Sequence, residues 1–379
     1  MLLRIESGWS PVCEPREPGG AEWGVLGLGA VTSGTFLANE AKRLPSSLPP
    51  RESLEVKPND VLVARANGSK RLVGVGVVVP ENARGRLIFP DLVYRLIPDP
   101  GMLDPRYLGV IVAAPAFRRQ VESAMRSTSG QFKISKADLG EFVVPVPALV
   151  EQRRVVEVLD ALVEKERAIE AALLKLEFVE EGMLQDAFGS RNPVGVVSDL
   201  GVVVTGATPP PDWDSSTLEG GIPLFTPSQV RDAEGSLSDP ERSIARYRAG
   251  DLRMVPAGST LAVCIGFGAG KVALSAVESC TNQQINAVIP YQGFDHRFVY
   301  LAVRSAMRRA KSLLNLQVTP IINKTDFSQL PVDLPSEAEQ KRIVEQIWAV
   351  RMKKSALVAE KVKLGRLRAG LSGDLLPVV

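Results

Sequence analysis

The chain is written twice, and that limits what it can fold into more than any other feature. Residues 134–188 lie over residues 322–376 without a gap, at an offset of 188. Lys136, Asp138, Pro147, Glu151, Gln152, Arg154, Val156, Glu157 and Leu176 all meet identical residues in the second copy. Twice that offset is almost the whole 379-residue length, so the repeat is the plan of the molecule and not a local motif. A chain of this length suits two or three domains, and duplication sets the number of similar modules at two.

The regions ahead of these segments repeat more loosely. Ser7-Gly8-Trp9-Ser10-Pro11 answers Thr205-Gly206-Ala207-Thr208-Pro209, and the run from Asp60 to Arg65 answers Ser259 to Cys264. Asp104-Pro105-Arg106-Tyr107 followed by Arg118-Arg119 answers Asp295-His296-Arg297-Phe298 followed by Arg308-Arg309. Asp104 suits an N-cap and Pro105 a first helical position. Residues 61–64, 72–79, 261–265 and 285–289 read as strands, punctuated by Gly, Pro and Asn. Each module is therefore expected to run through short strands, one helix and a return to extended chain. Gly8 has seven residues before it, whereas 17 separate Gly206 from Phe188. The first module is thus expected to lack an initial strand, or to start further upstream.

After each module the pattern changes in kind. Between 148 and 188, Val155, Leu159, Leu162, Ile169, Leu173, Leu176 and Met183 form a heptad seam with holes at Glu166 and Glu180. The second copy has Ile343, Ile347, Val350, Leu357, Leu364 and Leu371, broken by Lys354, Lys361 and Arg368. Pro147 and Pro335 mark the helix starts, and Ser336 to Glu339 is a capping-box sequence. Each helix would be roughly 55 Å long. Residues 148–188 hold five basic and ten acidic side chains, and residues 336–379 hold nine and five. Like copies would repel and the mixed pair attracts, so an antiparallel pair within the chain is expected, with Glu166 facing Lys354 to fix register. The predicted fold class is α+β. Two similar α/β modules (1–147 and 189–335) are separated by two long helices (148–188 and 336–379) that form an antiparallel coiled coil with pseudo-twofold symmetry. Such an object holds two unlike heads a set distance apart, which suits a split, non-palindromic duplex DNA site whose halves lie about a helical turn apart.

Composition removes other classes. A single histidine, His296, rules out histidine metal clusters and catalytic triads that need another. Three cysteines, Cys13, Cys264 and Cys280, point to a reducing compartment and not to a disulfide scaffold. No apolar run reaches membrane-span length, and the first ten residues lack a signal-peptide core. The expectation is a soluble cytoplasmic protein with no membrane association, no cofactor and no metal. The Asp/Asn-Pro-Pro-aromatic motif of amino-methyltransferases is missing. Glu55-Val56-Lys57 has the E-x-K half of a nuclease signature without its upstream Pro-Asp. A non-catalytic chain is expected; the alternatives are a coiled-coil scaffold that never reads DNA and, less favoured, a self-contained nuclease or methyltransferase.

The run from Gly8 to Phe36, then Asp60 to Gly74, then Ser129 to Asp160 resembles the specificity subunit of type I restriction-modification systems. The stretches from Thr205 to Trp213, Gly221 to Val230, Thr281 to Pro290 and Leu334 to Ile347 resemble that family's other target-recognition module. The likeness extends over essentially the whole chain, and its most specific element is the proline–EQ–RIV helix start, which occurs twice. It implies two target-recognition domains that bind double-stranded DNA, and helices that dock two methyltransferase subunits. Through these would come the endonuclease/translocase subunits.

Residues 1–147 carry 18 basic and 15 acidic side chains and residues 189–335 carry 13 of each, so DNA contact must come from local clusters. In the first module Arg65, Asn67, Ser69, Lys70 and Arg71 combine side chains suited to base edges and phosphate around Gly68. The same run also reads as a polar hairpin turn. Thr128, Gln131 and Lys133 form a second candidate that equally suits a surface loop. In the second module Gly266-Phe267-Gly268-Ala269-Gly270-Lys271 occupies the matching place but lacks the spacing of a P-loop. Lys271, Gln283, Gln284, Gln317 and Thr319 complete the candidates; amides on strands also commonly serve neighbouring backbone. Arg308, Arg309 and Lys311 are expected on a solvated helix face.

Overall fold

The computed structural model describes residues 2–128, 130–189, 193–210, 220–230, 236–249, 252–314 and 320–374. The chain divides into two compact units, residues 1–170 with 359–379, and residues 171–358.

In the first unit a four-stranded sheet has the spatial order Leu2–Ser7, Val93–Pro98, Val61–Ala64, Gly76–Val78, all neighbours antiparallel. In the second the order is Gly201–Thr205, Ile285–Pro290, Thr260–Val263, Val272–Ser275, again antiparallel, with Ser236–Leu237 added parallel at the edge. A second, smaller sheet repeats as well. Gly24–Leu26 pairs antiparallel with Ala41–Arg43 and parallel with Leu87–Ile88; Ile222–Phe225 pairs antiparallel with Ser243–Ile244 and parallel with Ser279–Thr281. The loose sequence match at Gly8 and Gly206 now has a cause. A Cβ on Gly8 would collide with the carbonyl oxygens of Phe89 and Pro90, and one on Gly206 with those of Thr281 and Asn282. Both modules therefore leave their first strand through a glycine that lets backbone touch backbone.

The first module does have the strand equivalent to Gly201–Thr205, namely Leu2–Ser7. The short strand Gly195–Val196 and helix Val197–Leu200 of the second unit come before that point in the repeat. The expected single helix is His296–Leu314 in the second module, whereas in the first its place is taken by two, Pro105–Ala113 and Pro115–Ala124, and both modules carry further one-turn helices. Proline at 115 lacks an N–H and holds Ala114 extended (ψ 147°), so the helix restarts there. Asp104 accepts from the amides of Arg106 and Tyr107 as the N-cap.

The gapless repeat reflects shared local chemistry. Ser135 caps helix Lys136–Gly140 through the Asp138 amide, and Asn323 caps Lys324–Ser328 through the Asp326 amide. Gln152 is fully buried, accepts from the Asp104 amide (2.8 Å) and donates to the Met102 (2.8 Å) and Pro147 (2.7 Å) carbonyls. Its equivalent Gln340 donates to Pro335 O (2.9 Å).

The long helices are Leu149–Phe188 and Glu337–Asp374, each roughly 60 Å at 1.5 Å per residue. Both units take a segment from each. In the first unit Val155, Val156 and Leu159 join the core around Tyr107, Phe117 and Leu139, and Leu371 packs against it. In the second unit Leu184, Phe188, Ile343, Val344 and Ile347 join the core around Phe298, Met307 and Phe327. The segments run antiparallel in each unit. Glu166 pairs with Arg368 (2.9 Å) and Glu170 with Lys361 (2.7 Å) in one; Glu180 pairs with Lys354 (2.9 Å) and Arg351 (2.8 Å) in the other.

These pairs correct the expected register. Glu166 and Lys354 do not serve each other; each is bound to a residue two heptads beyond the predicted partner. The observed pairs are themselves related by the repeat, because Arg368 is the equivalent of Glu180 and Lys354 the equivalent of Glu166.

Candidate nucleic-acid interface

The turn after strand Val61–Ala64 carries the first cluster of candidates. Arg65 is partly committed to the fold: Nε donates to Asp91 O (2.6 Å) and the guanidinium lies 5.5 Å from the Tyr94 ring centre. Asn67 Oδ1 accepts from the Ser69 amide (2.8 Å), closing a tight turn, so this side chain shapes the loop. A short 3-10 turn, Lys70–Leu72, follows. Arg118 donates to the carbonyls of Lys70 (2.9 Å), Arg71 (3.1 Å) and Val73 (2.6 Å), which fixes the loop from beneath and leaves Ser69, Lys70 and Arg71 exposed.

The second cluster folds onto the first. Strand Gln131–Lys133 pairs with Ala66–Asn67 on one side and with Arg126–Thr128 on the other. Residues 65–71 and 126–133, some sixty positions apart, thus make one three-stranded ribbon. Gln131, Lys133, Arg126 and Ser127 are exposed on it, while Phe132 packs toward the core. Thr128 ends its strand, and its side chain lies outside the described residues. Arg126 was not among the sequence candidates; its place opposite Lys133 in the ribbon comes from a strand pairing that the sequence does not display. Asp138, 3.5 Å from Arg126, is held below the usual carboxylate range by hydrogen bonds from Ser135, with Arg126 adding to the effect. It stays anionic and offsets part of the basic patch.

In the second unit the turn from strand Thr260–Val263 to Val272–Ser275 occupies the same place. Gly266 and Gly270 take positive φ values (89° and 97°), and the equivalent of Gly270 in the first turn, Gly74, does so too (79°). Lys271 is half-buried at the exit, and Phe267 is 97% exposed at the tip. Residues 282–284 come alongside through Cys264 N to Gln284 O (2.8 Å). Asn282 and Gln284 bond to one another: Nδ2 of Asn282 donates to Oε1 of Gln284 (3.0 Å), and the Gln284 amide donates back to Asn282 Oδ1 (3.1 Å). That ties up the side chain of the candidate Gln284, and leaves Gln283 as the exposed one. Gln317 and Thr319 lie outside the described residues.

Of the expected solvated face, Arg308 is exposed and pairs with Glu181, whereas Arg309 is half-buried and donates to Phe188 O and to Pro331 O (2.7 Å), tying its helix to the first long helix and its surroundings; the Lys311 side chain lies outside the described residues. Burial pushes the Cys264 thiol up to about 12 and the Cys280 thiol up to about 11, which makes both poor nucleophiles at neutral pH. Among the described residues no group of three or more His, Cys, Asp or Glu could hold a metal ion, and no helix is long and apolar enough to cross a membrane.

Comparison with known proteins follows the same lines. Residues 197–361 match the family described as Type I restriction modification DNA specificity domain. The chain is 32% identical over 165 residues to the type I restriction enzyme EcoEI specificity subunit of Escherichia coli, covering 42% of this chain and 27% of the relative. It is 26% identical over 192 residues to the EcoKI specificity subunit of Escherichia coli strain K12, covering 50% and 40%. Each alignment thus spans well under half the length of the curated relative it matches. The crystal structure of the type I restriction-modification S subunit from M. genitalium superposes with a TM-score of 0.61 at 13% identity, over 99% of this chain and 94% of that one. Residues 197–361 are thus similar to the type I restriction modification DNA specificity domain, and the chain as a whole shares the fold of the S subunit from M. genitalium.

Proposed function

We propose that this chain is the sequence-specific double-stranded DNA-binding subunit of a type I restriction-modification complex, cytoplasmic and non-catalytic. Residues 1–147 and 189–335 are its two target-recognition domains and read two unlike halves of a split, asymmetric target. The observation that carries this reading is the repeated placement of an exposed polar turn. The turns at residues 65–71 and 266–271 leave equivalent strands of equivalent sheets, the first joined by residues 126–128 and 131–133 and the second by residues 282–284. One turn is basic and the other amide- and glycine-rich, as expected of readers of different bases. The long helices dock two methyltransferase subunits, which in turn bring the endonuclease/translocase subunits. In support, Val150, Leu174, Phe178, Met352 and Val358 stand exposed on them.

Methylome sequencing of cells expressing the chain with its methyltransferase tests this. A two-part motif with a fixed spacer is expected, and exchanging residues 1–147 alone should change one half and leave the other. Affinity of the complex for that duplex should fall steeply with salt. A scaffold that never reads DNA would yield no motif, and a contiguous palindrome would contradict two unlike readers.

A further inference from the structure

We infer that Phe267 is a wedge that enters a base step of the half-site read by the second module; this rests on the DNA-reading function proposed above. An aromatic ring 97% exposed is unusual at the tip of a well-anchored turn. The turn is not free to fold the ring inward. Ala269, two residues on, takes the inward position and is buried, and Gly270 N donates to Val263 O (3.0 Å). Ala269 N donates to Gly266 O (2.9 Å), Lys271 N to Gly268 O (3.2 Å) and Gly266 N to Pro320 O (3.0 Å). The positive φ values at Gly266 and Gly270 are backbone states that L side chains rarely adopt, so glycine at both ends permits this turn while the hydrogen bonds hold it. A ring on a rigid arm loses little freedom on binding.

The surroundings identify the occupant. Lys271 supplies positive charge at the base of the turn, the Gln284 side-chain nitrogen lies 3.6 Å from where a Cβ on Gly266 would sit, and the next residue, Gln283, is exposed. An apolar plane flanked by a cation and an amide matches a stacked base between a phosphate and a base edge. The first unit carries no aromatic residue in its equivalent turn, residues 65–73, so the two modules engage DNA by different means.

The test uses the complex of full chain and methyltransferase on duplexes bearing its own methylome motif, with 2-aminopurine placed in turn along the half-site that changes when residues 189–335 are exchanged. Wild-type complex should brighten the probe at one step. Phe267→Ala should abolish that signal and weaken binding by about fivefold to a hundredfold, with the other half-site and subunit assembly unchanged; Phe267→Trp should retain both signal and binding. Unchanged fluorescence at every position, or Phe267→Ala binding like wild type, overturns the wedge while leaving DNA reading intact. A wild-type complex that modifies no motif overturns the DNA-reading function and the wedge with it.

Discussion

Glu180 is 5% exposed and sits among three cations: Arg351 (2.8 Å), Lys354 (2.9 Å) and Arg304 (3.2 Å). The guanidinium of Arg351 also stands over the rings of Tyr300 (4.8 Å) and Trp348 (5.4 Å), so the cluster joins both long-helix segments of its unit to helix His296–Leu314. Burial would raise the carboxyl of Glu180, but attraction to Arg351 and hydrogen bonds from Lys354 and Arg351 outweigh it and hold the group below the ordinary range. A depressed native pKa means the stabilisation is complete above the unfolded value of about 4.3 and is lost as pH falls through the native one. Glu180→Gln leaves the buried Arg304 and the half-buried Arg351 and Lys354 without their counter-ion, which should cost about 3 kcal/mol at neutral pH. Melting followed from pH 7 to pH 3 should show the variant starting lower and declining less steeply in acid than wild type.

At the level of elements, the instructive failure is the register of the long helices. Heptad counting identified Glu166, Glu180, Lys354, Lys361 and Arg368 as the charged interruptions of the seam, and every one of them is paired. It could not say which meets which, because a period of seven is unchanged by a slide of seven or fourteen. Strands 61–64 and 285–290 were legible from their apolar runs, whereas Gly24–Leu26, Ala41–Arg43 and Leu87–Ile88 are too short to show a pattern. The site divides likewise. Residues 65–71 and 126–133 were each visible as polar turns, but their union is a non-local strand pairing that composition does not record. A double-mutant cycle measures the register directly. Glu166→Lys with Arg368→Glu should recover about 0.5–1 kcal/mol relative to the sum of the single changes, because Glu166 is largely buried. Glu166→Lys with Lys354→Glu should be additive.

Across the whole molecule, the two units are built differently although their sheets match. One is a continuous stretch, residues 171–358; the other joins residues 1–170 to residues 359–379. Fragment 171–358 contains both helix segments that complete its core and should unfold cooperatively on its own. Fragment 189–335, without Leu184, Phe188, Ile343, Val344 and Ile347, should not. Fragment 1–170 should melt lower than its unit in the full chain, having lost Leu371 and the partners of Glu166 and Glu170. Circular dichroism melts of the three fragments decide each point. The discontinuity also sets an order of birth. Residues 359–379 leave the ribosome after the continuous unit has emerged, so the half of the molecule that is translated first is the half that finishes last.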